Sequence, residues 1–402
     1  MSFFVSQKSF SSGIGAGMKS KFENHFTEKL AHLEMLQPAN EPTSLYFVAD
    51  KKTAPPRIRF LLEQAEYYKA NAVFFRVFPE AQNRPPLPQI FVYLDNAASL
   101  DENRFAHIHR RLWNSGIVPL AFILTATQVK VLNCREEPRF DTERGEIIFT
   151  PFRDLEKLLE ADQAFLVRSI SNGTFWEDPK FKDDFSLEKT AYYKILEHLK
   201  IFRQKLIRKT VLSGSTVNRI LVLAILVKYL SDRRDSKGNC VFKKGFLADF
   251  PHIDSENIEL LFRKLGDCIH LFDHLSEHFN GGIFELSPSE RSELKKANLA
   301  PIADFLKGDQ DPNGQMLFWP LYSFQDLPIE LISNIYEVFL ATHDKENSKG
   351  VVYTPPMLVD LLLDQCLPLS PETLSWKILD PACGSGVFLV GAFRRLIQCW
   401  RM

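Results

Sequence analysis

One short stretch near the carboxyl end of the chain combines residue types that could bind a small charged molecule. The segment Asp380–Leu389 reads DPACGSGVFL, in which an acidic residue is followed by Gly384 and Gly386. Glycines at these positions remove Cβ atoms, so that a ligand can approach the backbone. The loop is predicted to open onto the amino end of a helix, whose free N–H groups and dipole favour an anionic group such as a carboxylate or a phosphate.

The residues around this loop narrow the class of nucleotide-like ligand. No Gly-Lys-Ser/Thr follows it, so it is not a phosphate-cradling Walker loop. The dinucleotide pattern GxGxxG would need a third glycine where the chain has Leu389. The apolar segment Trp376–Asp380 is predicted as a strand that delivers the chain to the loop. Strand, glycine loop and helix together form the opening unit of a doubly wound nucleotide-binding sheet.

The stretch DPACGSGVFL resembles motif I of DNA adenine-N6 methyltransferases, which transfer a methyl group from S-adenosylmethionine. Upstream, Tyr-Thr-Pro resembles motif X of that family, which lies over the methionine end of the cofactor, and the order of the two resembles the γ arrangement. Alone, Tyr-Thr-Pro fits equally well a turn entering a helix with prolines near its first position. The resemblance implies these cofactor-binding residues: Tyr353, Thr354, Pro355, Asp380, Pro381, Ala382, Cys383, Gly384, Gly386 and Phe388.

Two longer segments, Phe318–Leu340 and Asn218–Asp235, resemble the helical lead-in of large fused restriction-modification methyltransferases of the type IIG kind. The resemblance covers 181–402 at the level of motif and spacing, whereas the first 180 residues match only loosely. It implies a site-specific DNA adenine-N6 methyltransferase of a restriction-modification or phage-defence system. Its cofactor would be S-adenosylmethionine and its partner double-stranded DNA.

The resemblance also points to an element that this sequence does not contain. Adenine-N6 methylation requires a flipped-out base whose amino group is held near the methyl donor. In the resembled family an Asn/Asp-Pro-Pro-Tyr/Phe element does this, but no Pro-Pro pair in the chain has both flanking residues. We therefore assign no catalytic residue, interpret the chain as the front portion of such an enzyme, and expect that it does not methylate DNA alone. The alternative is a non-catalytic DNA-binding or assembly fragment that acts with a partner chain or with a missing carboxyl-terminal region.

Hydrophobic periodicity predicts an α/β and α multi-domain protein. We expect an N-terminal tail with a helix over 1–40 and a mixed α/β module over 41–180. A helical domain is expected over 181–345, and the first strand-loop-helix unit of a Rossmann-like methyltransferase sheet over 346–402. In the α/β module, alternating and β-branched runs predict strands, and ENRFAHIHRRLWNSG predicts a helix that Gly116 ends. PLAFILT and QVKVLNC predict a hairpin, and the charged stretch Arg135–Asp184 is interpreted as a connector.

Composition gives the expected setting of the protein. The chain has 45% hydrophobic and 25% charged residues and a formal net charge of -1, so DNA contact must come from local patches. Six cysteines without CxxC spacing argue against a zinc site or a disulfide framework, and we expect no metal site and a reducing cytoplasm. The most apolar run, Ile220–Val227, is too short to span a membrane, so no membrane association is expected.

Fused enzymes of the resembled kind often carry an N-terminal nuclease, whose metal site would need Asp and Glu-x-Lys on strands of the α/β module. Asp95 ends a predicted strand and Gln128-Val129-Lys130 lies on a later one, where Gln would hold a divalent metal less strongly than Glu. The only Glu-x-Lys, at Glu293, lies in a polar helical stretch. A degenerate nuclease-like or accessory module is the favoured interpretation.

Two basic clusters and one cysteine have a functional interpretation and an alternative without a functional role. The first cluster is expected on a solvated helix face, with phosphate contact as the alternative. It comprises His107, His109, Arg110 and Arg111. Either a DNA backbone contact or a solvated bundle face explains the second cluster. In the motif loop, Cys383 is interpreted as a small residue near the cofactor rather than a nucleophile, since no His lies beside it. The second cluster comprises Lys200, Arg203, Lys205, Arg208 and Lys209.

Overall fold

The structure, a computed structural model, describes residues 25–36, 43–78, 86–97, 99–235, 237–242, 246–247, 250, 253, 257–279, 282–308, 321–340, 354, 356–384 and 386–401. Its amino-terminal part is a five-stranded sheet in the order β1-β2-β3-β4-β5. Strands β3 and β4 are parallel and joined through helix α2, and the other neighbours are antiparallel. The strands are β1 (Leu45–Phe47), β2 (Ala72–Arg76), β3 (Leu87–Leu94), β4 (Leu120–Leu124) and β5 (Val129–Asn133). The first helices are α1 (Pro56–Tyr67) and α2 (Glu102–Ser115).

Both faces of this sheet are covered, which explains why its central strands are apolar without alternation. One face packs on α1 and α2, and the other packs on the helical stretch 25–32 and on helices α3 (Arg153–Ala161) and α4 (Gln163–Asn172). The interpretation of Arg135–Asp184 as a connector was wrong. That stretch contains the hairpin β6 (Arg139–Asp141) and β7 (Glu146–Ile148) as well as α3 and α4. Most of its charges are exposed, with the buried Glu156 as an exception, while its apolar residues, Leu155 among them, complete the core.

Strand β5 lies at the edge of the sheet, where unpaired backbone groups would otherwise be open. The backbone N–H of Phe152 donates to the carbonyl oxygen of Val131 at 2.7 Å. The carboxylate of the buried Glu156 accepts from the N–H of Val131 at 3.2 Å and pairs with Lys130 Nζ at 3.4 Å. The start of α3 therefore supplies hydrogen-bond partners for the backbone of the edge strand where a further strand would otherwise pair.

We expect Glu156→Ala to lower the free energy of unfolding by about 2 kcal/mol, because it leaves a buried N–H and an ammonium group without their acceptor. Urea unfolding of the purified chain measures this. Glu160→Ala is the matched control, since Glu160 lies exposed on the same helix. Equal losses in the two variants would show that the edge strand does not depend on Glu156.

The described residues that follow this module are mainly helical and enclose a second apolar core. Helix α6 supplies most of its centre, from Val217 to Val227. Within the described residues, α6 is the one helix long and apolar enough to cross a membrane, and 67% of its apolar window is buried inside the protein. Burial on all sides accounts for its unbroken apolar pattern. The helices are α5 (Ala191–Lys209), α6 (Gly214–Asp232), α7 (Leu265–His278), α8 (Pro288–Leu294), α9 (Ala300–Lys307), α10 (Glu330–Leu340), α11 (Pro356–Cys366) and α12 (Val387–Trp400).

Helix α2 joins the α/β module to the helical region. The Trp113 indole donates to the carbonyl oxygen of Lys189 at 2.9 Å. The Asn114 side chain donates to the carbonyl of Leu321 at 2.7 Å and accepts from the N–H of Ser323 at 2.8 Å. Both side chains are buried, and Trp113 belongs to the same core cluster as the helices. The two regions therefore share an apolar core as well as hydrogen bonds.

The expectation of a solvated face on α2 was wrong for His109 and Arg111, and Arg110 is also half-buried. His109 is buried and donates from Nε2 to the carbonyl oxygen of Asn133 at 2.8 Å. The Arg111 guanidinium lies 4.5 Å from the Tyr67 ring centroid and pairs with Asp326 at 3.3 Å. Partners from distant parts of the chain cover this face, so neither residue presents a free charge to a phosphate.

Local signals located other elements correctly. The helix Glu102–Ser115 ends at Gly116, whose φ of 60° is left-handed as a helix-ending glycine requires. The predicted hairpin is the pair β4 and β5. Helix α1 ends at Tyr67, and Lys69 then takes a φ of 62° as the chain turns into β2.

Candidate functional site

The glycine loop is a tight, exposed bend at the amino end of α12. The N–H of Gly386 donates to the carbonyl oxygen of Cys383 at 2.7 Å, which closes the turn. Gly384 and Gly386 have φ values of 52° and 81°, a region in which a Cβ is strained. An Asp380 side-chain oxygen accepts from the N–H of Ala382 at 3.0 Å, so this carboxylate shapes the start of the bend.

Space and unsatisfied donors lie together at this bend. A Cβ built on Gly386 would meet no described atom within 4 Å, so the surface beside it is open. Gly386 is also the N-cap of α12, and no side chain caps that helix. The first N–H groups of a helix have no intrahelical acceptor, and the helix dipole adds positive potential there. The bend can therefore accept an anionic group against bare backbone.

Helix α11 lies beside α12 and runs in the same direction. The residue numbers of the contacting pairs increase along both helices. Val359 and Leu363 lie next to Gly391, and further along, the Leu367 carbonyl accepts from Arg395 at 2.9 Å. Gly391 allows this approach, because a Cβ there would lie 2.6 Å from a Leu363 methyl carbon. Parallel helices place both amino ends, and both positive dipole ends, at the end where the glycine loop lies.

The Tyr-Thr-Pro segment, which resembles motif X, falls mostly outside the described residues. Tyr353 and Pro355 lie outside them, and Thr354 is described as partly exposed just before α11. Because α11 and α12 run parallel, Thr354 is at the same end of the helix pair as Gly386. The arrangement fits the order in which the two motifs were read from the sequence.

The predicted strand Trp376–Asp380 does not form a strand. Trp376 has extended dihedral angles, with φ of -75° and ψ of 142°, but within the described residues no strand pairs with this segment. A strand is defined by its neighbours, and the described sheets lie elsewhere in the chain. Ile378 and Leu379 are consequently exposed, the latter at 85%.

Helices α11 and α12 carry an unusual amount of exposed apolar surface, as does the segment between them. Such surface on a folded protein indicates contact with another apolar face. It flanks the extended segment that ends at Asp380. The exposed side chains are Leu358, Leu361, Leu362, Leu374, Trp376, Ile378, Leu379, Leu389, Phe393 and Trp400.

Three arginines on α12 or directly after it were not singled out from the sequence. Arg394 pairs with Glu330 of α10, Arg395 with Asp364 of α11, and Arg401, next to the end of α12, with Glu63 of α1. The available signal was their position on an otherwise apolar helix, VFLVGAFRRLIQCWR. Cationic residues on such a helix require partners, but the partners' identity depends on the tertiary structure.

The nuclease candidates have structural contacts in the α/β module. Asp95 is buried and accepts from the N–H of Ala97 at 3.1 Å, while Lys130 pairs with Glu156. Glu293 accepts from the N–H of Ser213 at 2.8 Å, before α6. Over the described part of the chain, no group of three or more His, Cys, Asp or Glu side chains could hold a metal ion. The degenerate or accessory character of the module stays a prediction.

The basic run on α5 divides into one bound cation and four that point outward to different degrees. The guanidinium of Arg203 donates to Asn218, whose amide donates to the carbonyl oxygen of Phe339, so Arg203 ties α5 to α6 and α10. Asn218 is fully buried, which makes this a structural link. The four others are exposed or half-buried: Lys200, Lys205, Arg208 and Lys209.

Comparison with known proteins places the recognisable similarity on α10, α11, the glycine loop and α12. The family model described as N-6 DNA Methylase matches residues 328–399. The Type II methyltransferase M.BstVI of Geobacillus stearothermophilus is 42% identical over 60 residues, which are 15% of this chain and 11% of that protein. The matched residues thus span only a small part of that relative's length. No solved structure matches the chain. The resemblance to DNA adenine-N6 methyltransferases is confirmed for this carboxyl-terminal region.

Proposed function

We propose, from a carboxyl-terminal region similar to N-6 DNA methylases, that this chain holds S-adenosylmethionine for the methylation of adenine in DNA. One observation carries the proposal: an exposed glycine bend opens onto the uncapped amino end of α12, beside the amino end of a parallel helix. Two dipole ends and unsatisfied N–H groups suit the carboxylate of the methionine moiety. When bound, the cofactor supplies an electrophilic methyl group.

The chain's own residues would bind and orient that cofactor. Gly384 and Gly386 leave the backbone bare for it, and Asp380 holds the start of the loop through its bond to Ala382. Thr354, with Tyr353 and Pro355 beside it in the sequence, would lie over the methionine end. Phe388, Pro381 and Cys383 complete the proposed wall of the site. These assignments rest on the motif resemblance together with the parallel packing of α11 and α12.

Base recognition is proposed to come from outside these 402 residues. None of the chain's Pro-Pro pairs has the flanking Asn or Asp and aromatic residue that would hold and stack a flipped adenine. The proposed enzyme is a site-specific methyltransferase of a restriction-modification or phage-defence system, working in the cytoplasm on double-stranded DNA. The outward cations of α5 would contact the DNA backbone and add affinity without sequence information.

Calorimetric titration of the purified 402-residue chain with S-adenosylmethionine tests the proposal. We expect saturable binding with a stoichiometry of one, and competition by S-adenosylhomocysteine, which retains the methionine carboxylate and lacks the methyl group. A chain that melts cooperatively and yet gives no heat of binding would overturn the assignment of this loop to the cofactor.

A second candidate function, assembly with a partner chain, is favoured by the exposed apolar residues of α11, the 374–379 segment and α12. In that case the chain contributes a docking face and DNA contacts without binding a cofactor. Cofactor binding separates the two proposals, because an assembly fragment has no reason to keep the glycine bend open. A chain that self-associates or aggregates through this face, and does not bind S-adenosylmethionine, would favour the second.

A further inference from the structure

Helix α12 carries the proposed cofactor loop at its amino end, and three cationic side chains in or directly after its carboxyl half bind it to other helices. Arg394, Arg395 and Arg401 reach carboxylates on three different helices, α10, α11 and α1. A helix of 14 residues is a rod about 21 Å long, so fixing its carboxyl half also fixes the direction of its amino end. The position of the glycine loop therefore depends on these contacts.

One of the three helices, α1, belongs to the amino-terminal α/β module, far from the loop in sequence. The Glu63 carboxylate of α1 accepts from Arg401 at 2.8 Å. Arg57, in the first turn of α1, lies 3.7 Å from Asp364 of α11, the same carboxylate that Arg395 of α12 contacts. The Asp364 side chain is only 5% exposed. A nearly buried carboxylate thus lies between a cation of the α/β module and a cation of the loop-bearing helix.

A shallow cleft that is open to solvent lies beside these ion pairs. It runs between α1 and α12 and is lined by Pro56, Arg59, Phe60, Glu63, Gln398 and Arg401. Interfaces between domains that are small and incompletely packed allow relative motion, so the charge pairs are the contacts expected to fix the geometry here. Changing those charges should therefore shift α12 without damaging either core.

We infer that the amino-terminal α/β module positions the cofactor loop, with Arg57 and Glu63 of α1 as the positioning residues. The inference rests on the proposed cofactor site, and it goes further in giving the module a role in cofactor affinity. Coupling between two binding sites is reciprocal. A ligand or partner that shifts α1 would therefore change the affinity for the cofactor by some factor, and the bound cofactor would change the affinity for that ligand or partner by the same factor.

Arg57→Glu, which places a second carboxylate beside Asp364, is the main test. Lys51→Glu is the matched control, because Lys51 pairs with Glu66 of α1 entirely within the module. In the full chain we expect Arg57→Glu to raise the Kd for S-adenosylmethionine about tenfold and to speed hydrogen exchange across 387–400. Lys51→Glu should do neither. If Arg57→Glu behaves like Lys51→Glu in either measurement, the inference is overturned.

A charge swap separates positioning from general damage. Glu63→Arg opposes Arg401 and should raise the Kd about threefold, whereas Glu63→Arg combined with Arg401→Glu restores the pair and should restore the affinity. A swap that fails to restore it contradicts the inference. If the unaltered chain binds no S-adenosylmethionine, the proposed function fails. Hydrogen exchange in 387–400 still decides whether α1 positions α12. Faster exchange in Arg57→Glu, but not in Lys51→Glu, supports the positioning role, and unchanged exchange in Arg57→Glu overturns it.

Discussion

Gly386→Val is expected to weaken binding of S-adenosylmethionine about a hundredfold. Gly386 has a φ of 81°, and a Cβ there would enter the open space beside the bend, where the cofactor is proposed to lie. A β-branched residue at positive φ is strained by about 1–2 kcal/mol, and its methyl groups would also block approach to the backbone. The strain is present with and without the cofactor and therefore lowers folding stability, whereas the blocked approach accounts for the loss of affinity, about 2.7 kcal/mol for a hundredfold change. Calorimetric titration measures it.

The control for this substitution is Gly238→Val. Gly238 has the same φ of 81° and likewise no described atom within 4 Å of its Cβ position. Both variants should therefore lose similar folding stability in urea unfolding, while only Gly386→Val loses affinity. An unchanged Kd in Gly386→Val would mean that the cofactor does not lie against this backbone.

Folding stability is expected to fall as the pH is lowered from 7.5 to 5.0, in part because of His109. Burial lowers the pKa of His109 to about 4 from its ordinary 6.5. Between these two values the unfolded chain binds a proton that the folded chain does not, so stability is full above the unfolded pKa and is lost as the pH falls toward the folded one. The titration of His109 therefore lowers the free energy of unfolding by about 2 kcal/mol between pH 7.5 and pH 5.0.

His109→Gln isolates this contribution, because the amide can still donate to the carbonyl of Asn133 and does not titrate. Urea unfolding at pH 7.5 and 5.0 should show a drop about 2 kcal/mol smaller than that of the unaltered chain. His107→Gln is the matched control, since His107 is exposed on the same helix and its replacement should leave the drop unchanged. Equal pH dependence in all three proteins would contradict the assigned burial.

Sequence alone determined those features of this protein that depend on local backbone chemistry. Helix α2 and its stop at Gly116 follow from apolar periodicity and a left-handed glycine. The tight loop before α12 follows in the same way from Gly384 and Gly386, whose φ values are positive. These signals act over a few residues, so no distant partner was needed to read them. The similarity of 328–399 to N-6 DNA methylases agrees with that reading.

Only the tertiary structure decided which polar residues are bound to distant partners. Arg203 resembles its neighbours on α5, yet it is held by Asn218, which in turn is fixed by Phe339. His109 and Arg111 resemble surface residues until the partners that cover them are in place. Such pairings join residues 15 to 215 positions apart, and neither the periodicity nor the spacing of residue types predicts them. Trp376–Asp380 gives the converse case: its composition is that of a strand, but a strand requires neighbours, and none of the described residues pair with it.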